Sequence, residues 1–85
     1  MELKDTVEGM CSPDYRKRMS AEYQQLRIRY YNLKAICTRM EAAALTGTAE
    51  PETDCPLSLL KKQLRYMGQY MHALEVRASI EGVDL

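Results

Sequence analysis

The chain of 85 residues contains neither tryptophan nor phenylalanine, so all six of its aromatic residues are tyrosines. That argues against a dry core built on large rings, because a buried tyrosine hydroxyl needs a hydrogen-bond partner. Cysteine is also scarce: Cys11, Cys37 and Cys55 form an odd set without CxxC spacing, and His72 is the single histidine. A disulfide framework or a zinc site is therefore not expected. No stretch approaches the roughly 20 apolar residues of a membrane span, and no apolar run followed by a small-residue cleavage site opens the chain. The expectation is a soluble, intracellular protein with no membrane partner. Walker-type and GxGxxG phosphate loops are missing too, so any nucleotide site must be built from helix side chains. His72 reads as a surface histidine with no serine or cysteine set against it, and Glu22, Glu41 and Glu75 are scattered. The chain is expected to be neither an enzyme nor a cofactor carrier.

What is present is helical periodicity. Met19, Tyr23, Leu26, Tyr30, Leu33, Cys37, Met40 and Ala44 follow a 4-3-4-3-4-3-4 spacing, and Leu57, Leu60, Leu64, Met67, Met71, Leu74 and Ala78 follow 3-4-3-4-3-4. Each pattern is one face of a helix, and the pair predicts an antiparallel two-helix hairpin. A second stripe runs along each helix: Ala21, Ile28, Ala35 and Ala42 on the first, Leu59, Tyr66, Ala73 and Ile80 on the second. One hairpin has no surface left to cover these stripes. The expected fold is all-α, a hairpin assembling into a homo-oligomeric helical bundle.

Punctuation residues set the boundaries. Residues 1–11 are weakly patterned and interrupted by Gly9, which predicts a flexible N-terminal segment or a short helix. The hairpin domain spans 12–85: helix 13–45, loop 46–55, helix 56–81 and tail 82–85. Ser12, Pro13 and Asp14 form a helix start, with Ser12 as the cap, and Asp54-Cys55-Pro56 repeats the signal. Gly47 and Gly82 are placed to end the helices in left-handed turns. Val83 and Leu85 are apolar residues in the tail, expected to dock on a neighbouring chain.

Formal net charge is zero, but the charges are segregated. The first helix carries seven Lys/Arg against three acids and the second carries four against two, while the tails and loop hold one lysine against seven acids. An oligomer multiplies the positive potential of its helical body, and an interhelical groove focuses it on an anion. Tyrosines beside arginines suit a nucleotide, since rings stack on a base and guanidinium forks pair with phosphate. Tyr23, Arg27 and Tyr30 share a face of the first helix; Gln63, Tyr66, Tyr70 and Arg77 lie near one face of the second. Arg27, Arg65 and Arg77 are the candidate phosphate ligands, Tyr23, Tyr30, Tyr66 and Tyr70 the candidate stacking residues, and Gln63 or Gln69 the reader of a base or ribose edge. The plainer alternative is a packing seam rimmed by solvated arginines. Gly68 either permits a close helix crossing or clears space between Tyr66, Gln69 and Tyr70.

Several runs carry a family resemblance: Ser-Pro-Asp-Tyr at 12–15, Ala-Glu-Tyr at 21–23, Arg-Tyr at 29–30, Cys-Pro-Leu and Leu-Leu within 55–60, Met-Gly-Gln-Tyr at 67–70, Leu-Glu-Val-Arg-Ala at 74–78 and Ile-Glu-Gly-Val-Asp-Leu at 80–85. Over about residues 10–85 the chain resembles a family of small phage and prophage proteins named for relation to a crAss-like phage protein. In size, expected oligomerisation and Tyr/Arg inventory it is also similar to phage sponges that trap the nucleotide signals of CBASS or Thoeris defence. The resemblance implies a phage anti-defence protein in the cytoplasm of the bacterial host, sequestering a small anionic nucleotide without turnover. The alternative is a structural or adaptor oligomer that binds a host or phage protein. Nucleic-acid binding through the basic first helix is disfavoured by its interleaved acids and the neutral total.

Overall fold

Asp14 and Gly47 bracket the longest element of the protein. In the computed structural model, which describes residues 1–49 and 53–85, the elements in order are a 3-10 turn Leu3–Thr6 and the helices α1 (Val7–Met10), α2 (Tyr15–Thr46) and α3 (Leu57–Glu81). The described residues include no strand. The middle of the expected connector, Glu50 to Glu52, lies outside the described residues.

The start of α2 differs in detail from the sequence reading. Asp14, not Ser12, is the cap: its Oδ1 accepts the Arg16 N–H at 3.0 Å, while Ser12 Oγ accepts the Asp14 N–H at 3.1 Å. Asp14 has the extended backbone that a capping residue needs, φ −85° and ψ 118°. At α3, Pro56 itself occupies the cap position, with φ −66° and ψ 146° and no side-chain cap bond. Gly47 and Gly82 end the two helices with φ 71° and 69°. Only at such positive φ is glycine's freedom required, and both N–H groups return to helix carbonyls, Ala43 and Ala78.

Three contacts fix the direction of the hairpin. An Arg16 guanidinium N–H donates to the Gly82 carbonyl at 3.2 Å, Tyr23 meets Glu75, and Glu41 meets Lys61. Advancing along α2 thus means retreating along α3, and the helices are antiparallel. The core between them is Met19 and Leu26 of α2 against Met71, Leu74 and Ala78 of α3. Tyr23, Tyr30 and Met67 pack at its edge. Near the end of α2 the buried positions step by three, Cys37, Met40 and Ala43, and Ala44 is exposed. A step of three rotates the buried face by about 60° on a helix of 3.6 residues per turn, so the strict heptad misplaces the last contact.

Two further findings concern the surplus apolar residues. Val83 and Leu85 pack against the core of their own hairpin. The left-handed turn at Gly82 folds the tail back, with the Val83 N–H on the Ala78 carbonyl at 2.9 Å, so an intramolecular dock replaces the expected intermolecular one. Ala21 of the second α2 stripe is buried, and Gly9 of α1 lies against it. The 3-10 turn and α1 are tied down there, with Thr6 buried and its hydroxyl donating to the Leu3 carbonyl at 2.7 Å. The second α3 stripe stays uncovered: Leu59, Tyr66, Ala73 and Ile80 are all exposed.

A methyl group on Gly9 would stand 2.8 Å from Cβ of Ala21, closer than two carbons tolerate. Overpacking of this kind costs about 1–3 kcal/mol. Gly9→Ala should release the N-terminal segment while α2 and α3 persist. Hydrogen exchange should show lost amide protection confined to residues 3–12, with helical circular dichroism nearly unchanged.

Candidate ligand site

A groove of about 570 Å³ runs between α2 and α3 toward the loop end of the hairpin. Its volume falls within the roughly 300–1,000 Å³ typical of small-molecule sites. The α2 wall presents Tyr30, Lys34, Cys37, Thr38 and Glu41; the α3 wall presents Lys61, Leu64, Arg65, Gly68, Gln69 and His72. Helical spacing explains both sets. Each follows i, i+3 or i+4 steps along the border of the core stripe, where apolar and polar positions alternate.

Tyr30 lies across Gly68. A Cβ at Gly68 would meet the Tyr30 ring at 3.5 Å, which is ordinary contact. An alanine would fit at this crossing, so the approach of the two helices does not require the glycine. The space it borders is the Tyr30 groove, and not a gap between Tyr66 and Tyr70. At the loop end of the groove, Lys61 Nζ and Glu41 Oε1 form an interhelical ion pair at 2.8 Å. The hydrogen bond to Glu41, reinforced by its charge, holds the Lys61 ammonium above the usual lysine value of 10.5.

The structure divides the sequence candidates among three places. Tyr30, Arg65 and Gln69 converge in the interhelical groove. Gln63, Tyr66 and Tyr70 line a shallow apolar depression with Leu59, Lys62 and Met67 on the outer side of α3. Tyr23, Arg27 and Arg77 line neither. Tyr23 is half-buried at the edge of the core, and its hydroxyl donates to Glu75 Oε2 at 2.6 Å. Arg27 lies 6.0 Å from the Tyr31 ring centre, and the Arg77 guanidinium pairs with Glu81 one turn on. Arg65 itself sits 5.5 Å from the Tyr66 ring centre, so it stands between groove and outer depression.

Sequence reasoning left out Lys34, Thr38 and Lys61, which line the groove, and Glu75, which anchors Tyr23. Their signal was present: Tyr30, Lys34, Cys37 and Glu41 occur at i, i+4, i+7 and i+11 on one face. A search keyed on tyrosine and arginine passes over lysines. Glu75 also lies 3.8 Å from Nδ1 of His72, so one carboxylate of α3 faces a tyrosine of α2 and the rim of the groove together.

The short bond to Glu75, followed by burial, raises the Tyr23 hydroxyl above its ordinary value of 10.0. A phenol raised on folding contributes stability that is complete below its unfolded pKa and is lost as pH climbs through the folded value. The raised lysine at position 61 has the same sign, so both contributions fade on the alkaline side of about pH 10. Glu75→Gln should shift one tyrosine titration downward toward 10.0. Near-ultraviolet tyrosinate absorbance reports it, and Tyr23→Phe should delete the same late-titrating component.

Comparison with known proteins adds a family. No curated protein matches the chain and no solved structure does. A family model described as Sequestin matches residues 13–80. That range takes in all of α2 and nearly all of α3, the two helices that build the groove, and leaves out the N-terminal segment and the C-terminal tail. The chain belongs to the sequestin family.

Proposed function

We propose that this protein is a phage anti-defence protein that binds and sequesters a small nucleotide immune signal, a cyclic oligonucleotide or an ADP-ribose derivative, without turning it over. The observation that carries the reading is the convergence of Tyr30, Arg65 and Gln69 with Lys34 and Lys61 in one groove of ligand size. The family name, with its sense of sequestration, supports the same conclusion. In this reading Tyr30 offers a ring face to a base, Arg65 and the two lysines neutralise phosphates, and Gln69 reads a base or ribose edge. Thr38 supplies a further hydroxyl at the groove wall.

One hairpin provides an open groove, and tight capture requires a buried, preorganised ligand. A homo-oligomer supplies the missing walls. Gln63, Tyr66, Tyr70 and Arg77, on the outer side of α3, then act where copies meet, while Tyr23 and Arg27 act at the far edge of α2. The protein works in the bacterial cytoplasm in this account, with itself and the nucleotide as its partners. A structural or adaptor role toward a host or phage protein is the second reading, favoured by the exposed tyrosines of α3.

Isothermal titration with cyclic dinucleotides, cyclic ADP-ribose isomers and histidine-linked ADP-ribose tests the proposal. Saturable heat with one of them is expected. Arg65→Ala should then weaken binding by about tenfold to a hundredfold, the value of one charge-assisted hydrogen bond. Absence of heat with every nucleotide would leave the adaptor reading in its place.

A further inference from the structure

The residues on the outer side of α3 form a second heptad seam. From Leu59 through Gln63, Tyr66, Tyr70, Ala73 and Arg77 to Ile80 the spacing is 4-3-4-3-4-3, the same period as the buried stripe beside it. Every member is exposed, Leu59 and Tyr66 at 52%, Tyr70 at 45% and Ile80 at 80%. On a helix rising 1.5 Å per residue the seam is about 32 Å long. A heptad stripe of this length fits another helix, because knobs at successive 3- and 4-residue steps fill the holes of a facing stripe.

We infer that this seam pairs with the same seam of a second copy, α3 against α3, in an antiparallel arrangement about a two-fold axis near residues 71 and 72. The inference deepens the oligomeric part of the proposed function and holds whether or not a nucleotide is bound.

Charge favours an antiparallel copy. Lys61 and Glu75 are engaged with Glu41 and Tyr23 of α2; of the other charges of α3, Lys62 and Arg65 lie in the first half and Glu81, paired with Arg77, in the second, and Asp84 follows. An antiparallel copy sets the cationic half of each helix beside the acidic half of the other, whereas a parallel copy stacks like on like. The helix dipoles oppose each other in the same arrangement. Side-chain volume agrees. Setting each position that follows a four-residue step opposite one that follows a three-residue step gives two registers of six layers each, one centred on residue 68, which sets Tyr66 against Tyr70 and Leu59 against Arg77, and one centred between residues 71 and 72. Volume selects the second: Tyr70 faces Ala73 of the second copy, large against small, Tyr66 faces Arg77, and Gln63 faces Ile80. Tyr66 already has the cations Lys62 and Arg65 within 5.9 Å and 5.5 Å of its ring centre, so its ring face is a site for cations.

Cysteine cross-linking tests the pairing. In a background with Cys11→Ser, Cys37→Ala and Cys55→Ser, two single-cysteine proteins are made, Gln63→Cys and Ile80→Cys. Circular dichroism confirms their helicity, and each is oxidised alone and after mixing and re-equilibration. The expected result is a disulfide only in the mixture, because the axis leaves two copies of position 63 about 25 Å apart. Ala73→Glu, which sets a carboxylate against the electron-rich ring of Tyr70, should raise the dissociation constant by about tenfold or more. Cross-linking of Gln63→Cys with itself would show parallel pairing and overturn the inference. So would a single-chain mass by light scattering, or a stable oligomer in which no mixture links. Nucleotide titration of the unsubstituted protein separates the two proposals: linkage in the mixture together with no heat from the unsubstituted protein leaves the seam intact and removes only the sequestration reading.

Discussion

Contact between Met19 and Leu26 of α2 and Met71, Leu74 and Ala78 of α3 sets the register on which the other features depend. Two helices side by side share one face each. Every other side chain must be solvated, covered by a terminal segment, or shared with another molecule. With principal extents of 49 × 25 × 17 Å the protein is little more than one helix thick, and among the described residues no side chain is completely enclosed. The same register brings Tyr30 over Gly68, Tyr23 to Glu75 and Lys61 to Glu41. The groove is thus a product of hairpin packing and not a separate construction.

The chain handles its surplus apolar surface in different ways along its length. The N-terminal segment covers Ala21 through the close approach of Gly9, and the tail turns at Gly82 to lay Val83 and Leu85 on the core. The outer side of α3 has no such cover. Positive side chains near the groove are partly committed already, Lys61 to Glu41 and Arg65 to the ring of Tyr66. An anion entering the groove therefore competes with an exposed ion pair and a cation–ring contact, both weak in water.

The all-helical fold, the faces that meet and the two glycine stops were readable because helix periodicity and left-handed turns are local properties. Features that depend on the meeting of two helices were not. Stripes alone do not say which tyrosine crosses Gly68 or that Glu75 stands opposite Tyr23, since both require the register. Val83 and Leu85 were read as intermolecular because the reversal at Gly82 is visible only once the backbone turns. The nine residues chosen for tyrosine, arginine and glutamine chemistry share composition but not location. Tyr30, Arg65 and Gln69 meet; Gln63, Tyr66 and Tyr70 lie together elsewhere; Tyr23, Arg27 and Arg77 are engaged with Glu75, Tyr31 and Glu81.

Native mass spectrometry in the presence of candidate nucleotides examines the central claim in one measurement, since it counts chains and bound small molecules together. The account predicts a discrete multiple of the 9.8 kDa chain that gains whole ligand increments. A single chain that gains none would contradict it.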